Sequence, residues 1–405
     1  MTNMVYLSWK INITFNLFRR SIKMANNRIY YPIQQIAFRK PGTTVFREAH
    51  GVQSVSTTTT FNLEQAFELG QLAIYENIEG IPTVEVSMTK VLDGYPLLFL
   101  LSAATDADGA NLAGPSLAER AVAETVVQLG IWPETDQSVE ADPTTYVEMS
   151  GLTVSSVSYS FPLEDNFSED ITLAGNTRVW NTYNDGSCTA PWNIVSADGS
   201  FTGNNDAPIG SGGVNRRENM IFATTAGQAV DADYTRLPGD IFGVSDGGVK
   251  SGIAHISSIT VSTDFAREDL FELGARSPYA KTVTFPVEVK CDIEVTSVSG
   301  DQVNAIDDCG NAATCVTASN LTDRQIRIAT CEGTRIYLGE KNKLSSVTYG
   351  GGDAGGGNVS VTYSYQTFND FTVLHSGDDF NALGQTWWGV RSGYLGPSGT
   401  TTQDT

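Results

Sequence analysis

The chain repeats itself, and a repeat at this spacing requires one supersecondary unit to be built twice. Residues 52–70 read VQSVSTTTTFNLEQAFELG, and residues 256–274 read ISSITVSTDFAREDLFELG. Without a gap, eight of the nineteen positions agree, including Phe67-Glu68-Leu69-Gly70 against Phe271-Glu272-Leu273-Gly274. Composition alone yields about one match. Downstream, Pro82-Thr83-Val84-Glu85-Val86 answers Pro286-Val287-Glu288-Val289 after a one-residue gap. Val154-Ser155-Ser156-Val157-Ser158-Tyr159 answers Leu344-Ser345-Ser346-Val347-Thr348-Tyr349, and Phe167 to Leu173 is then matched with Phe368 to Val373. The same elements come twice in the same order. This is a duplication.

Each copy reads as mainly β with minor α. Val84, Val86 and Met88 alternate with polar residues, which gives one dry and one wet strand face. Val287, Val289, Cys291, Ile293 and Val295 do the same, with Cys291 in the phase of Met88. Val157, Tyr159 and Phe161 form a third such strand, and Val359, Val361, Tyr363 and Tyr365 a fourth. The segments closing at Gly70 and Gly274 fit one or two helical turns ended by a left-handed glycine. Ser116 and Glu119 form a capping-box pattern, Leu117 to Leu129 are read as a helix with Val122, Val126 and Leu129 on its apolar face, and Gly130 stands at its stop. The matching part of the second copy, Asn304 to Leu321, lacks that pattern. Leu97-Leu98-Phe99-Leu100-Leu101 is strand length, far short of a membrane span. Gly350 to Gly357 reads as a hairpin tip, since no Lys-Ser/Thr follows it as a phosphate loop requires.

The domain expectation is therefore two tandem β-barrel or β-sandwich domains, each with a short flanking helix. Residues 24–175 and 214–390 form the two domains, joined by a Gly/Asn-rich stretch at 176–213, with a flexible tail at 391–405. Residues 1–23 carry Lys10, Arg19, Arg20 and Lys23 with no acid, and lack the layout of a secretory signal. They read as an extension outside the fold, dispensable for folding if the chain starts at Met24; an amphipathic targeting segment is the other reading.

The net charge is −21, with no Lys/Arg cluster. A surface of that sign repels phosphate, which disfavours tight nucleic-acid binding. It suits a conduit through which DNA slides, and equally it keeps an assembly protein soluble. Five cysteines, Cys188, Cys291, Cys309, Cys315 and Cys331, make no disulfide framework and are expected as free thiols.

Chemistry is sparse. His50 and His255 precede matching strands, so duplication accounts for both, and neither they nor His375 have metal-ligand spacing. Cys309 and Cys315 are too far apart for a zinc knuckle. Asp106-Ala107-Asp108-Gly109 opens like a calcium loop but brings glycine early and lacks the closing carboxylate. No catalytic, cofactor-binding or metal residues are assigned, and an enzyme is not expected. Trp180, Trp192, Trp387 and Trp388 either pack at interfaces or line a sugar site.

The string from His50 to Tyr75, with Val84-Glu85-Val86-Ser87 and Leu92-Asp93-Gly94, resembles the tail tube proteins of long-tailed phages. So does Val157-Ser158-Tyr159 leading to Asn166-Phe167 and Ile171-Thr172-Leu173. The likeness spans about Arg28 to His375. It implies a non-enzymatic virion tail protein, assembled in the host cytoplasm, whose subunits join edge to edge into stacked rings. Other tail proteins would be its partners, DNA would pass without tight binding, and neither cofactor nor membrane is implied. Two units per chain would give three chains per ring, with a sixfold appearance and true threefold symmetry. A tandem β-sandwich that binds receptors or decorates a virion is the competing class.

Overall fold

The computed structural model describes residues 34–39, 47–49, 51–70, 72–93, 97–103, 124–132, 145–182, 214–224, 234–239, 255–275, 277–298, 323–331, 333–350 and 357–375, with single residues 29, 143, 241, 300 and 303. Within them the chain is mainly β. The first copy contributes β1 (Gln34–Arg39), β2 (Arg47–Glu48), β3 (Val52–Thr60), β4 (Leu63–Phe67), β5 (Ile74–Glu79) and β6 (Thr83–Val91). Helix α1 (Leu98–Ala103) precedes β7 (Thr125–Ile131), β8 (Thr145–Pro162), β9 (Ser168–Gly175) and β10 (Thr177–Thr182). The second contributes β11 (Ile256–Asp264), β12 (Arg267–Leu270), β13 (Ala280–Val283) and β14 (Glu288–Thr296). It ends with β15 (Arg327–Ala329), β16 (Thr334–Tyr337), β17 (Lys343–Gly350), β18 (Ser360–Phe368) and β19 (Thr372–His375).

One antiparallel sheet runs through both copies in the order β3-β6-β9-β8-β11-β14-β18-β17. Its first four strands and its last four repeat one arrangement, with β3 matching β11, β6 matching β14, β9 matching β18 and β8 matching β17. The irregularities repeat too. A bulge falls between Val52 and Ser54 and again between Ile256 and Ser258. Another falls between Val154 and Ser156 and again between Leu344 and Ser346. Bulges add one residue to one strand and so act as position markers. They tie Ser155 to Ser345.

Strand β8 is long enough to serve two sheets. Thr153–Pro162 lies in the shared sheet, whereas Thr145–Leu152 pairs with β7 and β10 in an outer sheet extended by β1 and β2. The chain bends between them at Gly151, whose φ is +66°. In the second copy the outer layer is β15-β16-β19. One continuous core lies between the layers, drawing Phe38, Val127, Val147 and Met149 from the outer strands and Val86, Ile171, Leu173, Val261, Cys291 and Tyr363 from the shared sheet. Each such side chain stabilises the fold by about 1.5–3 kcal/mol of apolar burial. The architecture is two sandwiches sharing one open sheet rather than closed barrels.

The bulges correct the sequence alignment of the second strand. Val55 pairs Met88 while Ile259 pairs Ile293, so Met88 is matched by Ile293 and Val86 by Cys291. The sequence match of Val84 with Val287 is two residues short. A slip of two leaves every side chain on its own face, so alternation cannot detect it. Likewise β9 is matched by β18, not by Phe368 to Val373, because Leu173 and Tyr365 face the equivalent Val154 and Leu344.

Three helix readings are overturned. Thr125–Ile131 is strand β7, not the end of a Leu117–Leu129 helix; the earlier part of that segment lies outside the described residues. Thr125 to Leu129 are buried on both faces between β1 and β8, where β-branched Val126 and Val127 suit a strand. Among the described residues the helix of the first copy is Leu98–Ala103, which overlaps the run read as strand length. Residues before Gly70 and Gly274 form the hairpins β4·β5 and β12·β13 rather than helical turns, although both glycines do have positive φ, +91° and +93°. Among the described residues the second copy has only a 3₁₀ turn at Arg217–Asn219 as a flanking helix. Strand β10 occupies Thr177–Thr182, the start of the stretch read as a joint.

Candidate assembly surface

The two copies meet where β8 pairs with β11, in seven positions from Ser258 opposite Pro162 to Asp264 opposite Ser156. The contact continues past the strand end. Phe265 donates its N–H to the carbonyl of Ser155 at 2.7 Å and is 1% exposed. Arg267 donates to the carbonyl of Val154 from Nε at 2.7 Å and also from Nη2, with its guanidinium 6.0 Å from the Phe265 ring. Burial pulls the Arg267 pKa down to about 10, with Asp269 opposing the shift. On the core side Tyr159 is 0% exposed, its ring 6.4 Å from Phe371 of the second copy.

The outer ends of the shared sheet are the same two edges without each other. Among the described residues, strand β3, which matches β11, pairs only with β6, and β17, which matches β8, pairs only with β18. An unpaired sheet edge is a template for another strand. Phe61 stands at the place of Phe265 and is 70% exposed. Leu63, at the place of Arg267, is exposed as well, and Tyr349, at the place of Tyr159, is 50% exposed. Phe67, Leu69, Phe271 and Leu273, from the run identical in both copies, are exposed at the hairpins.

The face of the shared sheet away from the core is polar. Ser56 and Thr58, Ser158 and Ser160, Thr260 and Ser262, and Thr362 and Ser364 occupy it along four strands. Glu85, Asp170, Asp264, Glu288, Asp292 and Glu294 share it with Lys290 and Lys343. Lys290 lies 3.6 Å from Glu288 and Lys343 3.5 Å from Asp323, so the face is net negative.

One buried carboxylate has a structural task that sequence reading missed. Glu169 accepts the N–H of Leu98 at 2.8 Å, the N–H of Phe99 at 3.0 Å and the Tyr159 hydroxyl at 2.7 Å. It thus satisfies the first free donors of α1. Burial raises its pKa, against the lowering effects of these bonds and of Lys90. Its match in the second copy is Val361, also buried. The signal available was a lone acid in an otherwise apolar phase of β9.

The other residues singled out in the sequence fall as follows. Cys291 is buried in the core and free, with its thiol pKa pushed up by burial, and Cys331 is exposed. His255 stands just before β11, its carbonyl bonded by the N–H of Thr296. Trp180 is half exposed with the Arg178 guanidinium 5.4 Å from its ring, so it is only partly packed. His50, the loop Asp106 to Gly109, Trp192, Trp387, Trp388 and the other three cysteines lie outside the described residues.

No family model matches the chain, and no curated protein does. Among solved structures, it is similar to the tube-terminating cap of the anti-feeding prophage, with 12% identity and a TM-score of 0.29, over 39% of this chain and 94% of that one. It is similar to a chain of the extended sheath–tube complex of an extracellular contractile injection system, with 12% identity and a TM-score of 0.29, over 39% and 95%. A chain from the virion of a native gene transfer agent particle gives 12% identity and a TM-score of 0.24, over 38% and 100%. At TM-scores below 0.3 neither fold nor function follows from these likenesses.

Proposed function

We propose that this chain is a structural virion protein that polymerises into the tail tube through which phage DNA passes, and that it is not an enzyme. The observation that carries this reading is the internal junction. One edge-to-edge joint is completed inside the chain by β8 and β11, and its two halves recur open at β17 and β3. A unit with complementary, non-identical edges adds head to tail, and closes a ring if the rotation permits. With two units per chain, three chains make a ring of sixfold appearance and true threefold symmetry. The apolar hairpin residues Leu69 and Leu273 then supply contacts to other rings or tail proteins.

In such a ring the polar face of the shared sheet lines the channel. Hydroxyls and carboxylates there offer a phosphate backbone little to hold, and DNA transits without tight binding. Electron microscopy of the purified protein tests the reading. Tubes of stacked rings are expected, whereas isolated monomers would favour the receptor-binding or decoration module that half-exposed Trp180 would also fit. Duplex DNA should not be retained at low salt; micromolar binding that weakens steeply with salt would contradict the charge argument.

A further inference from the structure

We infer that the joint between neighbouring chains repeats the internal one residue for residue, with Phe61 inserted as its anchor and β3 of one copy paired to β17 of the next. This rests on the tube reading and adds the register to it. The repeated bulges fix the equivalences, with Val261 matched by Thr57 and Tyr159 by Tyr349. The internal pairs Val261–Tyr159, Ser262–Ser158, Thr263–Val157 and Asp264–Ser156 therefore translate between chains. They become Thr57 opposite Tyr349, Thr58 opposite Thr348, Thr59 opposite Val347 and Thr60 opposite Ser346.

Phe61 then follows the strand as Phe265 does, its N–H reaching the carbonyl of Ser345 as that of Phe265 reaches Ser155. The exposure of the open halves fits an absent second copy. Phe61 and Tyr349 are exposed where Phe265 and Tyr159 are buried, and they sit on opposite ends of the sheet, so no single chain can bring them together. Among the differences between the two joints, one removes side-chain hydrogen bonds. Leu63 replaces Arg267, so the joint between chains lacks the guanidinium-to-Val154 bonds and relies more on apolar burial.

The register is testable by cross-linking. Because the Phe265 N–H bonds Ser155, directly opposed pairs two residues apart alternate with it, and Ser262–Ser158 is a pair without mutual hydrogen bonds, whose side chains approach most closely. The equivalent T58C and T348C, both at exposed threonines, should form a disulfide between chains. Chains carrying both changes, assembled and then oxidised, should give covalent species ending at three chains. The pairing T58C with S346C, one register step away, should give little. Phe61→Ser should raise the concentration needed for assembly about tenfold or more and leave the melting temperature of the unassembled chain unchanged. Particles are scored by electron microscopy in the same samples. Tubes without the T58C–T348C link, or with the S346C link in its place, overturn this register and leave the tube reading standing. Linked chains that never stack uphold the register and overturn the tube. Monomers without links overturn both.

Discussion

Phe61 and Phe265 occupy one position of one unit, yet the first is 70% exposed and the second 1%. Tyr349 and Tyr159 show the same contrast at the other edge. The local structure is alike in both copies, down to the bulges. What differs is the neighbour. Burial at these positions follows whether a partner strand lies beside them in the chain, and under the proposed assembly the internal joint is the template for the outer edges.

The largest effect that could break this comparison is at those phenylalanines. Phe265→Ser should cost about 3–5 kcal/mol in urea unfolding of the unassembled chain, from the cavity and the polar group placed in it. Phe61→Ser should cost no more than about 0.5 kcal/mol there, as surface changes do. Equal losses would mean that the two positions are not the same joint in two states.

Glu169 and Val361 sharpen the contrast on the core side. Glu169→Val would leave the N–H groups of Leu98 and Phe99 and the Tyr159 hydroxyl without their acceptor, at a cost of about 3 kcal/mol. Stability against pH gives a second readout. The folded-state pKa of Glu169 is raised, so the folded form binds a proton more tightly than the unfolded chain. Compared with Glu169→Gln, the native protein should therefore gain stability as pH falls through that raised pKa, and stop gaining below about the ordinary value of 4.5. A relative loss on acidification would place the carboxylate in a different environment.

The smallest effect is at Cys291, which matches Val86. Cys291→Val should change stability by less than about 1 kcal/mol, since the equivalent site already holds valine. Alkylation of the native protein should label exposed Cys331 well before buried Cys291, which mass measurement can follow.

The repeat and the alternating strands were legible because burial on one sheet face leaves a period of two in the sequence. Val84 to Met88 and Val289 to Val295 alternate as expected. The match between copies was off by two at β6 and β14, since that slip preserves the period. Strand β7 was misread because Val126, Gln128 and Leu129 are buried on both faces, which erases alternation and leaves an apolar run that also fits a helix. Helix α1 depends on Glu169, about seventy residues away along the chain, so no local pattern marks it. Leu63, Glu64, Gln65 and Ala66 are good helix formers held as a strand by pairing with β5. The candidate assembly surface was legible in the sequence only as a repeat; which residues face outward required the sheet order.

Symmetry tests the central claim most directly. If each chain supplies two units joined as at β8 and β11, and chains join alike through β17 and β3, a reconstruction of the tube shows three chains per ring. The strands then run continuously around it, and every second junction lies within a chain. Six chains per ring, or a stable monomer whose β3 and β17 edges are capped, would contradict it.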